Sequence, residues 1–323
     1  MRPGCFGLIA IALLGVIIGA LCFSTPTTIA QDAPPAKKIK IGVSIPAADH
    51  GWTAGIGWWA KRAMAIHPEI EWSYATAATP EKQIADIEDM MTKGVDGIVV
   101  LATESAPLTP VAKQAHERGI YIVNVDRGFL EPVADVFLEG DNKAFGRKSA
   151  EFVAKKMGGK GNLVILSGIP CTVDTDRVNA ALEVFKQYPE IKILGQQPAM
   201  WNREKGLSVM QNFLTQHPKI DAVWAQDDDI LVGALKAAKE AGRDDKMWFV
   251  GGAGMNQIVK MVESGSKQVP VDVSYNPNMV ATAIDLTALH FAANAQVDGK
   301  MIINSTLITK DNAAQFDYAN TPF

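Results

Sequence analysis

The chain has 323 residues, with 31 Lys and Arg against 35 Asp and Glu for a formal charge of −4, and 48% of its residues are hydrophobic. A slightly acidic chain without a long like-charge run lacks the basic stripe of a nucleic-acid binder and the charged arm of a membrane-surface protein. Its apolar content and length suffice for two ordinary cores.

At the N-terminus, Arg2 precedes an apolar run from about Phe6 to Phe23, and small residues then lead to Ala30. This is the layout of a secretory signal over residues 1–30, with cleavage expected after Ala30. The run is also near the length that spans a bilayer, so an uncleaved anchor is the competing reading. Cys5 and Cys22 fall inside it, which leaves Cys171 without a partner. Export without an internal disulfide points to a bacterial periplasm.

From Lys38 onward, short β-branched runs alternate with longer amphipathic segments. Ile39 to Ile45 reads as a strand, Thr53 to Ile66 as a helix, Glu71 to Tyr74 as a strand and Pro80 to Lys93 as a helix opened by its proline. Gly97 to Leu101, Leu108 to Arg118 and Tyr121 to Val125 continue as strand, helix and strand. A join near Glu139–Asp141 leads to a second series. Asn162 to Leu166, Lys192 to Leu194, Ala222 to Ala225 and Trp248 to Val250 read as strands. Asp174 to Tyr188, Arg203 to His217, Asp229 to Ala241 and Met255 to Ser264 read as the helices between and after them. Val271 to Ser274, Asn276 to Val297 and a strand around Met301–Ile308 come last. Continuous apolar strands imply parallel sheets covered on both faces, and two such series predict two doubly wound α/β lobes.

In open parallel sheets, ligands sit beyond the carboxyl ends of the strands. That rule selects Asp49 to Thr53, Ala102 to Ser105 with Glu104, Asp126 to Gly128, Gly168 to Arg177 with Asp174, Met200 to Asn202, Gln226 to Asp228 and Gly251 to Gly254. Aromatic rings pack on the C–H faces of sugars, carboxylates accept hydroxyl protons, and guanidinium groups donate to oxygens. Trp52 and Trp201 supply rings from opposite lobes, and Asp126, Arg127 and Arg177 supply charged partners at the same level. Trp52 reads alternatively as an interface cap, and His50 as either a ligand contact or an exposed turn residue. Asp228 and Asp229 read as caps of the helix that follows them. No metal or cofactor motif is recognisable, and Gly158 to Gly161 lacks the ending of a phosphate loop.

With these residues the chain resembles the periplasmic sugar-binding proteins of ABC transporters, of the ribose-binding type. The densest stretch is Gln197 to Leu207 with Val209 to Asn212, continued by Ala225 to Asp228, Gly233 to Leu235 and Asn124 to Arg127. The resemblance implies the type I periplasmic binding protein fold: α/β, two doubly wound parallel-sheet lobes joined by a three-crossing hinge. The crossings fall near Glu139–Asp141, Ser274–Asn276 and Ser305. They make an N-terminal lobe of 37–140 plus 276–304 and a C-terminal lobe of 141–275 plus 305–323. It further implies a monomeric, non-catalytic periplasmic receptor for a monosaccharide or polyol, without cofactor or nucleic acid, meeting the membrane only through permease and ATPase subunits. The implied ligand contacts are His50, Trp52, Thr53, Asp126, Arg127, Arg177, Trp201, Asp227 and Tyr275, to which the strand-end rule adds Glu104 and Asp174. Three positions depart from the ribose pattern: Asp227 stands for Asn, Ala253 for Asp and Tyr275 for Gln. Two other classes share parts of this pattern. A sugar-responsive repressor needs a basic helix-turn-helix before Lys37, where this chain has its apolar segment. A sugar hydrolase would use Asp126 and Asp227 as a carboxylate pair, but a guanidinium beside Asp126, from Arg127, suits binding more than acid catalysis.

Overall fold

The computed structural model describes residues 38–318 and 321–323, so the secretory-signal segment and its Ala30 junction lie outside the described residues. The chain opens with β1 (Lys40–Pro46), buried from Ile41 onward, then α1 (Gly51–Ala65), β2 (Glu71–Ala77), α2 (Pro80–Thr92) and β3 (Gly97–Val100). In α2, the Thr79 hydroxyl caps the Lys82 amide and Pro80 occupies the first turn, where its missing N–H has no partner to lose. There follow α3 (Ser105–Glu117), β4 (Tyr121–Val125), β5 (Val136–Gly140) and α4 (Asn142–Lys156). The second half runs β6 (Lys160–Ser167), α5 (Thr172–Phe185), β7 (Glu190–Pro198), α6 (Arg203–Gln216), β8 (Ala222–Ala225), α7 (Asp228–Glu240), β9 (Trp248–Val250) and α8 (Asn256–Glu263). It closes with β10 (Asp272–Val273), α9 (Met279–Ala292), β11 (Gly299–Ile303), β12 (Leu307–Ile308) and a short 3-10 turn at Ala313–Phe316.

Two parallel sheets result. The first has the order β11-β5-β4-β3-β1-β2 and the second β7-β6-β8-β9. In register, Val43 lies beside Val99 and Val99 beside Val123 in the first sheet, while Val164 lies beside Val223 in the second. These valines are fully buried because helices cover both faces. In both sheets the chain starts in the interior, steps to one edge, then returns past its start. That reversal places a topological switch point at the carboxyl end of β1 and another at that of β6, where the rule for open α/β sheets puts ligands.

The sequence reading matches the architecture and differs in three places. β5 and α4 were not anticipated; the reading placed only a join at Glu139–Asp141. Glu139 interrupts the apolar run of β5, and α4 is polar on average, although the Asp141 carboxylate caps the Ala144 amide and Lys155 and Lys156 fill its last turn. The single strand read around Met301–Ile308 is two: β11 pairs with β5 in the first sheet, and β12 pairs antiparallel with β10 beside the second. α3 starts at Ser105 rather than Leu108 and carries Pro110 within it.

Candidate functional site

The carboxyl ends of the two sheets face one cavity of about 300 Å³, lined by His50, Trp52, Asp126, Arg127, Val173, Arg177, Trp201, Asp227, Ala253 and Tyr275. Three of these, Asp126 (φ 64°), Trp201 (φ 51°) and Ala253 (φ 121°), have left-handed backbones that side-chain-bearing residues seldom adopt. Such conformations persist where the surroundings hold them, and they concentrate at functional sites.

On the first-sheet side, His50 is the N-cap of α1. Its Nδ1 lies 2.6 Å from Asp49 Oδ1, and the Thr53 hydroxyl donates to the same oxygen at 2.9 Å. Burial alone would lower the His50 pKa, but the bond to Asp49 and the charges of Asp227, Asp49 and Asp229 raise it. Burial likewise works against Asp49, yet its partners His50 and Thr53 hold it down at about 2. After β4, Arg127 donates through Nη1 to the carbonyls of Ala102 (3.2 Å) and Thr103 (2.7 Å). Its Nε, 3.7 Å from Asp126 Oδ2, is buried without a hydrogen-bond partner.

A chain of contacts crosses the floor. The Tyr275 hydroxyl donates to Asp126 Oδ1 at 2.6 Å and accepts from Asn142 Nδ2 at 3.2 Å. The Trp52 indole donates to the Tyr275 carbonyl at 2.9 Å. Burial and the nearby Asp126 charge push the Tyr275 phenol upward, so it stays protonated as the donor. Its ring fits because position 140 is glycine: a Cβ there would come within 2.0 Å of Tyr275 Cε2.

On the second-sheet side, Arg177 is almost wholly buried. Its Nε donates to Asn142 Oδ1 at 3.0 Å and its Nη1 to the Gln226 carbonyl at 2.9 Å, and the guanidinium lies over the rings of Phe145 (3.9 Å) and Tyr275 (4.3 Å). Asp227 caps α7, with Oδ1 accepting from the amides of Asp229 and Ile230. Complete burial raises its pKa to about 6, against the opposing charge of His50. The Trp201 ring lies under the Arg127 guanidinium at 5.3 Å, and its buried Nε1 has no partner. Gly168 makes room for it, since a Cβ there would meet the indole at 2.2 Å.

Of the eleven candidates read from sequence, eight line this cavity and three do not. Thr53 is turned into the start of α1, on Asp49 and the His50 carbonyl. Asp174 accepts the Gly168 amide at 2.7 Å and shapes the loop before α5. Glu104 precedes α3 and lines a different surface cavity with Leu130 and Cys171. The sequence reading missed Asn142, because it missed α4; Val173 lies in the Gly168 to Arg177 loop selected from sequence but was not singled out. Asp228 and Asp229 do more than the capping read for them; the cap itself is Asp227. Asp228 accepts the amides of Gly252 (2.9 Å) and Met255 (2.8 Å), which holds the loop carrying Ala253. Asp229 pairs with Arg203 and with the Gly51 amide. Among the described residues, no group of three or more His, Cys, Asp or Glu is placed to hold a metal ion.

The lining therefore carries buried donors without partners, on Arg127 and Trp201, beside acceptors on Asp126 and Asp227. A hydroxyl both donates and accepts, so a polyhydroxylated molecule satisfies both kinds of group at once. Balanced charge on Asp126, Asp227, Arg127 and Arg177 suits a neutral ligand.

The chain is similar to known proteins over most of its length. The profile described as periplasmic binding protein domain matches residues 41–295. The D-allose-binding periplasmic protein of Escherichia coli is 33% identical over 231 residues, covering 69% of this chain and 72% of that protein. The xylitol-binding protein of Mycolicibacterium smegmatis is 29% identical over 280 residues, covering 84% and 78%. A solved ABC-transporter periplasmic solute-binding protein from Actinobacillus succinogenes with bound D-allose superposes with a TM-score of 0.77 at 26% identity, covering 86% of this chain and all of that one.

Proposed function

On the footing that this chain belongs to the periplasmic binding protein domain family, we propose that it captures one neutral monosaccharide or polyol between its two lobes and delivers it to an ABC importer. The observation that carries this reading is the convergence of His50, Trp52, Asp126 and Arg127 from one sheet with Arg177, Trp201 and Asp227 from the other on a single cavity. The cavity is compact, enclosed by ten side chains, which fits one ring better than an oligosaccharide. The lobes are 37–140 plus 276–304 and 141–275 plus 305–323. The ligand contacts both only when they close, so binding is coupled to closure about the hinge.

The remaining assignments are part of the same proposal. The apolar segment directs export and is cut after Ala30, and the mature protein works in the periplasm as a monomer. Permease and ATPase subunits are its partners. Catalysis forms no part of the role: Asp126 is engaged by Tyr275 and lies beside Arg127, and Asp227 by the first amides of α7. Among the described residues, no helix is long and apolar enough to cross a membrane.

The test is a thermal-shift screen of the chain from Gln31 onward against pentoses, hexoses, amino sugars and alditols. Ligand at a thousandfold excess over Kd stabilises the folded state by about 4 kcal/mol, so at least one compound is expected to raise the melting temperature by several degrees. A flat response from a protein that melts cooperatively would overturn the reading. Turnover of a nitrophenyl glycoside would favour the hydrolase instead.

A further inference from the structure

Asp229 lies beside the cavity without lining it. Both of its carboxylate oxygens are engaged, and their partners belong to different lobes. Oδ1 accepts from Arg203 Nε at 2.7 Å, within the second lobe. Oδ2 accepts the Gly51 amide at 2.7 Å, at the first turn of α1 in the first lobe. The Asp229 side chain is 4% exposed and that of Arg203 is 52% exposed. The bond across the cleft is therefore dry on one side and anchored from the wet side by a charge.

The surroundings of Gly51 are built for this approach. A Cβ at that position would stand 2.9 Å from Asp229 Oδ2, 3.2 Å from Met255 Cε and 3.2 Å from Phe323 Cδ2. All three atoms come from segments outside the first sheet, and Asn256 ties the Phe323 segment to α8 through the Tyr318 carbonyl and the Thr321 hydroxyl. Glycine is what allows the backbone amide to reach the carboxylate at all. A charge-assisted hydrogen bond of this length, shielded from solvent, is among the stronger polar contacts a protein makes.

We propose that Asp229, anchored by Arg203 and received by Gly51, is a closure latch: a positioning residue that sets the closed fraction, and so the apparent affinity, without touching the ligand. The proposal rests on the reading of the cavity as a sugar or polyol site. Its logic is that apparent affinity is the intrinsic affinity scaled by the population of the competent state. A residue that stabilises only the closed state changes every ligand by the same factor. A residue that touches the ligand changes the order among ligands.

The experiment is calorimetric titration of the mature wild type and of Asp229→Ala, Arg203→Ala and Gly51→Ala with D-allose, D-ribose and xylitol, alongside small-angle scattering at each ligand concentration. Asp229→Ala and Gly51→Ala are expected to weaken every probe that the wild type binds by about tenfold or more. Ligand order should be unchanged, dissociation faster, and compaction reached only at higher ligand concentration. Arg203→Ala removes only the half-exposed anchor and should fall between these variants and the wild type. Asp227→Asn, inside the cavity, should instead reorder the probes. Wild-type affinity in both Asp229→Ala and Gly51→Ala, or a reordering of ligands by Asp229→Ala, overturns the latch alone. A wild type that binds none of the probes and stays extended overturns the reading of the cavity, and the latch with it.

Discussion

Arg177→Ala is expected to lower sugar affinity by about a hundredfold or more while leaving a protein that still unfolds cooperatively. Arg177 is 4% exposed, and its guanidinium is held by Asn142, by the Gln226 carbonyl and by the faces of Phe145 and Tyr275. Truncating it removes a charged donor from the cavity and leaves Asn142 Oδ1 and a strand-end carbonyl without their partner. Truncation of one member of a buried, hydrogen-bonded charged set typically loses 2–5 kcal/mol of binding, and each 1.4 kcal/mol is tenfold. Arg177→Lys should recover little, because an ammonium cannot bond Asn142 and the Gln226 carbonyl from one planar fork while stacked between two rings. Equilibrium dialysis or calorimetry reads the affinity, and a thermal melt of the same samples separates lost binding from lost fold. Unchanged affinity with an intact melt would place the ligand elsewhere.

The second large effect is on stability against pH. Asp228 and Asp272 are fully buried, and Asp272 is hydrogen-bonded to Asp228. The two face one point of the chain, since a Cβ at Gly251 would meet Asp228 Oδ1 at 2.3 Å and Asp272 Oδ1 at 3.2 Å. Desolvation drives both carboxyls upward, Asp272 to about 7 and Asp228 well above its ordinary range, and their mutual repulsion raises Asp228 further. The folded protein therefore keeps protons that the unfolded chain gives up near pH 4. Where the native state binds more protons, stability falls as pH rises. The fall begins near pH 4 and continues through about 7, where Asp272 ionises.

His50, whose pKa is also raised, adds to the same trend, because its stabilisation is lost as pH rises through its folded value. Asp49, held at about 2, acts oppositely and only in acid, its contribution disappearing below about pH 4. The neighbouring Asp227 carboxylate faces the pair as well and opposes its ionisation. Melting temperatures followed by circular dichroism should thus be highest near pH 4 and lower at pH 8. Asp272→Asn removes the group that ionises near 7 and should flatten the slope between pH 4 and 7, while giving up one of the two amide bonds its oxygens accept from Val273 and Gly254. An unchanged slope in that variant would assign the pH dependence to other groups.

The strands with continuous β-branched runs were legible in the sequence, because a strand covered on both faces must be apolar at every position. Ile98, Val99 and Val100 in β3 and Leu163 to Leu166 in β6 are examples. β5 and α4 were not, because Glu139 ends one apolar run early and the helix after it buries mainly small residues such as Ala144, Gly146 and Ser149. Missing α4 meant missing Asn142, which joins Tyr275 to Arg177. For the cavity, the strand-end rule found the right loops but not the direction in which each side chain points. Direction depends on local backbone and capping. Asp126 and Trp201 reach the cavity from left-handed backbones, whereas Thr53 and Asp174 are drawn to amides and carboxylates of their own loops. The run Asp227-Asp228-Asp229 illustrates the limit most clearly. Three adjacent, identical residues cap a helix, hold a loop and bridge the cleft, and nothing in their shared chemistry distinguishes the roles.

The pairing of β11 with β5 bears on how the protein is made. The edge of β5 waits for a partner encoded about 160 residues later, an interval of about ten to thirty seconds at a synthesis rate of roughly 5–20 residues per second. Through that interval α9, which covers β3 and β4, is also missing. The first half of the chain therefore leaves the ribosome with an open sheet edge and an uncovered apolar face, both prone to stray pairing. Its completion depends on α9 and β11, which follow the second sheet in the chain. A nonsense codon before Gly299 would thus leave the part translated first without its β11 edge strand.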